Sequence, residues 1–99
     1  MGYEDDSEQK RRIEIAQQDM AKLSGVALSD EARALLKQFT PEGVADFGMT
    51  AFLVDYIRAM ESSIELLRAA AKPEVETRLK LFQELATAWE TLKEHELGD

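Results

Sequence analysis

Ninety-nine residues, 44% of them hydrophobic, suffice for one modest core but not for a deep substrate cavity beside a second domain. Twenty acidic residues against twelve basic ones give a formal charge of −8, a field that disfavours duplex nucleic acid and anionic lipid as partners. Without cysteine there are no disulfides, thiolate metal sites or cysteine nucleophiles, and the chain fits a reducing, cytoplasmic setting.

The opening MGYEDDSEQK is polar and acidic and carries no signal-peptide pattern. No apolar stretch approaches the ~20 residues of a membrane span. From there the spacing predicts a first helix over residues 7–24. Asp5 and Glu8 have capping-box spacing, with Asp where Ser or Thr is usual. Ile13, Ala16, Met20 and Leu23 form a narrow apolar stripe, and Gly25 stands where a left-handed C-cap residue belongs.

A second helix starts at Ser29 as N-cap, with Asp30 and Glu31 in the first turn, where the helix dipole favours anions. Ala32, Leu35, Leu36 and Phe39 fall at i, i+3, i+4 and i+7, a buried face. Pro41 ends this element, because helical geometry is disfavoured at the preceding Thr40. Thr40 and Pro41 also make a good N-cap and N1 pair for the next element. Residues 41–48 are either a separate short helix or the first turns of a long one, since Gly43 and Gly48 each weaken a helix by about 1 kcal/mol relative to Ala. Their small side chains suit a close approach of two helices or a bend between them.

Beyond Thr50 the pattern sharpens. Leu53, Ile57, Met60, Ile64, Leu67 and Ala71 alternate spacings of four and three, a heptad-like seam. Lys72 supplies a cation at the helix C-terminus and Pro73 stops the helix. The last helix starts at Pro73 and reaches about His95, with an unusually wide apolar face: Val75, Leu79, Phe82, Leu85, Ala86, Trp89 and Leu92, widened further by Leu81. With only Pro73 between them, these two long helices are expected to form an antiparallel αα-hairpin.

The chemistry-bearing residues read as structural. His95, the sole histidine, lies beside Glu94 and Glu96 at spacings unsuited to a shared metal. Glu61 and Glu65, one turn apart, are flanked by Arg58 and Arg68, and Glu74–Arg78 and Glu76–Lys80 are i,i+4 pairs; all suit a solvated stripe. Gly43-Val-Ala-Asp-Phe-Gly48 lacks the Lys-Ser/Thr of a phosphate loop and follows no strand.

The run RRIEIAQQDMAKLSGVALSDEARALLKQF, within residues 10–51, resembles the VbhA-type antitoxins that restrain Fic-domain AMP-transferases: basic residues, a helix, Gly25, then Ser29 capping DEARALL with an aromatic near the helix end. The resemblance implies an inhibitory helix carrying Ser/Thr-x-x-x-Glu-Gly/Asn, whose glutamate blocks productive ATP binding. Aligned on Gly25, that motif places Met20 and Ser24 at the hydroxyl and glutamate positions, so the inhibitory carboxylate is absent here.

The fold expected is one all-α domain over residues 1–99: a bundle of four helices, five if 41–47 stands alone, with a long C-terminal hairpin and frayed ends at 1–6 and 97–99. The function expected is non-enzymatic, with no cofactor, metal or small-molecule substrate. An acidic helical protein of this kind binds a protein partner, or a second copy as a homodimer, through Leu81, Leu85, Trp89 and Leu92, with Trp89 as anchor. In a competing arrangement the N-terminal helices fold back over that face. An inhibitor of a toxin or enzyme, including a nucleic-acid mimic, is the second class; a helical subunit of a larger enzyme is the third. The charge balance carries one direct test. Fluorescence anisotropy with labelled duplex DNA at physiological salt should show no saturable binding, and micromolar or tighter binding would contradict it.

Overall fold

Each apolar stripe needs a second surface to bury against. In the computed structural model, which describes residues 2–98 and side chains from Ser7 to Glu96, five helices supply those surfaces to one another: α1 (Gly2–Ser24), α2 (Asp30–Lys37), α3 (Pro41–Phe47), α4 (Met49–Leu66) and α5 (Lys72–Gly98). No strand occurs among the described residues. A single hydrophobic cluster joins all five: Ala16 and Leu23 from α1, Leu35 and Leu36 from α2, Val44 from α3, Met49 and Leu53 from α4, and Phe82, Leu85 and Trp89 from α5. The fold is therefore all-α, with residues 41–47 a helix in their own right.

The spine is α5, about 40 Å long at 1.5 Å per residue. It packs against α4, α2 and α1, and α1 packs in turn against α3. Moving forward along α4 from Thr50 to Tyr56 moves backward along α5 from Trp89 to Phe82. Trp89 Nε1 donates to Thr50 Oγ1 at 2.8 Å, and the Tyr56 and Phe82 rings stack with centroids 5.1 Å apart. The hairpin is thus antiparallel.

Ser29 caps α2 as its sequence position suggests, accepting from the Ala32 N–H at 3.1 Å. A capping box would place a carboxylate at the third helical residue, but Ala32 stands there. Glu84 of α5 takes that role across the fold: the Ser29 N–H donates to Glu84 Oε2 at 2.7 Å and the Ser29 hydroxyl to Oε1 at 2.8 Å. The cap is thus also the joint between α2 and α5.

Several boundaries differ from the sequence reading. Helix α1 begins at Gly2, so Asp5 lies inside it rather than at a cap; the side chains of residues 1–6 lie outside the described residues. Gly25 is not left-handed. A left-handed residue serves to bring N–H donors to the last helical carbonyls. Here the Ser24 hydroxyl donates to the Ala21 carbonyl at 2.9 Å and the Gly25 N–H to the Lys22 carbonyl at 3.1 Å. Arg33 of α2 reaches back to the carbonyls of Ser24 and Val26.

Among the described residues the positive φ belongs to Gly48, at φ 84° and ψ 158°, a region open essentially to glycine alone. Its N–H donates to the Val44 carbonyl, and its carbonyl accepts from the Phe52 N–H, so one residue ends α3 and starts α4. The break turns Phe47 out to solvent and Met49 into the core.

Helix α4 stops at Leu66, short of the Lys72 end that the periodicity suggests, and Leu67 is extended at φ −82°, ψ 151°. One proline cannot reverse the chain between antiparallel helices, and residues 67–71 make the turn instead. Lys72 therefore opens α5 rather than closing α4.

The energetic weight of the α2–α5 joint is measurable. Charge-assisted hydrogen bonds of this kind contribute about 1.5–3 kcal/mol, and removing one partner strands the other. Glu84→Ala should lower the unfolding free energy in a urea titration by roughly 1–3 kcal/mol. Glu90→Ala, an exposed position on the same helix, should stay within about 0.5 kcal/mol of wild type. Equal effects from the two would remove the joint's importance.

Candidate protein-interaction surface

The face that the sequence offers to a partner is largely filled by this chain itself. Leu85 is 0% exposed and Trp89 6%. Both are core residues, and the Trp89 ring N–H is spent on Thr50 rather than kept for another molecule. Leu81 and Leu92 are half-buried and pack against the same core. The physical reason is the packing of α4, α2 and α1 against α5, with the Glu84–Ser29 joint tying α2 down and Thr50 of α4 holding Trp89. Leu85 and Trp89 are thereby corrected from partner contacts to internal anchors.

What the fold leaves uncovered is the far half of the hairpin. From residue 54 to residue 81 no side chain is fully buried. Ile57 and Met60 pack against the edge of the core, Ile64, Leu67, Val75 and Leu79 lie beyond it along the two-helix arm, each partly buried, and Leu66 near its end is 88% exposed. The molecule is elongated, with extents of 49 × 36 × 22 Å and a radius of gyration of 15.3 Å, against about 13 Å for a compact chain of 100 residues. Four rings close the arm's base, with Phe39, Phe52, Tyr56 and Phe82 at centroid separations of 4.9 to 5.7 Å.

Charge divides the molecule in the same place. The arm holds Asp55, Glu61, Glu65, Glu74 and Glu76 against Arg58, Arg68, Lys72, Arg78 and Lys80, so it is neutral and the whole −8 belongs to the rest. All of these arm residues are exposed except the half-buried Lys72. Among the described residues the ion pairs are Glu8–Arg12 and Lys22–Glu96, so the expected pairs Glu74–Arg78 and Glu76–Lys80 are not closed.

At the other end of the molecule Asp19 sits half-buried between α1 and the α3–α4 junction. Burial lifts its carboxyl above the ordinary aspartate range, with Lys22 and Lys93 opposing and Glu96 adding to the rise. Hydrogen bonding and attraction from Lys22 pull Glu96 below the glutamate range, and the same contact raises Lys22. His95 is exposed, and no cluster of His, Asp or Glu among the described residues is placed to hold a metal ion. No helix among the described residues is long and apolar enough to cross a membrane. At the positions singled out by the antitoxin resemblance, Met20 is half-buried against the core and the Ser24 hydroxyl is turned onto the Ala21 carbonyl.

Comparison with protein-family models, with curated proteins and with solved structures gives no match to this chain.

The signal in the sequence that marks the arm is the seam itself. The opposed carboxyl shifts have a checkable sign. Glu96 has a lowered folded value, so its contribution to stability is present above the unfolded value and lost as pH falls through the folded one. Asp19 is raised, so its cost at neutral pH is relieved on acidification. Carboxyl-detected NMR titration should find Asp19 above and Glu96 below their ordinary ranges. An Asp19 midpoint at or below the ordinary aspartate value would contradict the burial described.

Proposed function

We propose that this chain is a non-enzymatic interaction protein that self-associates as a homodimer through its hairpin arm. The observation that carries the reading is the seam of Ile57, Met60, Ile64, Leu67, Val75 and Leu79 along the hairpin, each partly but none fully buried, with Leu66 beside it 88% exposed. Covering a large aliphatic side chain fully rather than leaving it exposed is worth about 1.5–3 kcal/mol. Partial burial leaves up to about a third of that at each of the six side chains for a second copy to collect. Two arms laid seam to seam about a two-fold axis make a four-helix bundle, and cyclic dimers are the commonest homo-oligomers. The neutral arm lets two copies meet there, while the acidic bodies repel and stay apart. The non-enzymatic part rests on the lone histidine, His95, which stands exposed in the last turn of α5, where it assembles with no nucleophile.

Multi-angle light scattering at tens of micromolar should return a dimer for the wild type and a monomer for Met60→Glu plus Ile64→Glu, with far-UV circular dichroism of the variant still helical. A monomeric wild type would end this reading. So would a double variant that stays dimeric.

A further inference from the structure

A second uncovered region lies mainly on the acidic body and reaches the base of the arm at Val54 and Asp55. Phe47, the last residue of α3, is 67% exposed, and Ile15 on the facing side of α1 is 50% exposed. Two grooves of about 350 and 510 Å³ meet at this point and share Asp19, Phe47, Gly48 and Met49. Together they make one trough that runs from α1 across the α3–α4 break to α4 and the late part of α5.

Three carboxylates line the trough: Asp19, Asp46 and Asp55. Its two cations are already engaged. Arg12 pairs with Glu8 at 3.1 Å, and the Lys93 ammonium lies 5.5 Å from the centroid of the Trp89 ring. Asp19 has no hydrogen-bond or ion-pair partner among the described residues, although it is partly withdrawn from water, which costs free energy until a donor arrives. An exposed aromatic beside three carboxylates, with two cations along the same lining, leaves an acidic excess complementary to apolar and cationic side chains presented together.

We infer that the trough is a docking site for a cationic amphipathic helix of another protein, seating apolar side chains on Phe47 and Ile15 and Lys or Arg side chains on Asp19, Asp46 and Asp55. Helix-in-groove binding supplies both kinds of contact from one face, at i, i+3 and i+4 spacing. Nucleic acid and anionic lipid are repelled by the same carboxylates. A second copy of this chain brings a body of the same acidic sign. The inference does not rest on the dimer, because the trough meets the arm only at Val54 and Asp55, outside the seam.

The test uses three labelled synthetic peptides of equal length: a Lys/Leu helix with amphipathic spacing, the same composition scrambled to abolish that spacing, and a Glu/Leu counterpart. Fluorescence anisotropy with the full chain should show saturable binding of the Lys/Leu helix alone, weakening as salt rises. Phe47→Ser and Asp19→Asn should each weaken it about tenfold, while Glu61→Gln on the arm leaves it unchanged. Phe47 is already exposed, so its substitution does not threaten the fold, and circular dichroism checks that. Failure of the Lys/Leu helix to bind would overturn the inference. So would equal binding of the scrambled peptide, which reports charge alone, or binding indifferent to Phe47→Ser.

Discussion

One carboxylate, that of Glu84, decides where the first half of the chain sits. Helix α2 has eight residues, and isolated helices shorter than about 12–15 residues are marginal in water. It holds because its cap is grasped from α5 while Leu35 and Leu36 press into the core. With α2 in place, Arg33 closes the end of α1, and α1 so aligned lays Ala16 and Leu23 in the same cluster as Val44. Helix α1 also packs directly against α3 and α5, so α5 is the surface that α1, α2 and α4 share.

Much of this architecture is legible in the residues. Ser29, Thr40, Pro41 and the spacing of Ala32, Leu35, Leu36 and Phe39 mark their elements because caps and buried faces are local chemistry. What stayed hidden is tertiary. Gly25 and Gly48 look alike as letters, but Arg33 relieves one of the need for a left-handed turn while nothing relieves the other. The periodicity runs on to Ala71 because the turn after Leu66 is built of residues that also suit a helix. Leu85 and Trp89 resemble an interface because a broad stripe on one helix does not reveal how many of its neighbours fold back over it. The contact that decides this, Glu84 with Ser29, spans 55 positions.

The molecule divides its surface by chemistry. The arm is apolar along its seam and electrically balanced, as the proposed self-association requires. The body keeps the acidic excess and a trough with one prominent aromatic, on which the proposed docking of a cationic helix rests. The four-ring cluster at the arm's base joins these halves: Phe39 follows α2, Phe52 and Tyr56 belong to α4, and Phe82 belongs to α5. Aromatic pairs of this kind contribute about 0.5–1.5 kcal/mol each beyond their buried area.

The dependence on α5 has a consequence for synthesis. A ribosome adds residues at about 5–20 per second, and domains generally fold as units once complete. Here α1 to α4 emerge first, with Leu23, Val44, Met49 and Leu53 made but lacking the helix that completes their core. The nascent chain carries that apolar surface uncovered for seconds, until Phe82, Leu85 and Trp89 leave the exit tunnel. A stop codon or a translational pause placed within the α5 reading frame would thus be more damaging than its distance from the chain's start suggests, because it withholds the keystone rather than a peripheral turn.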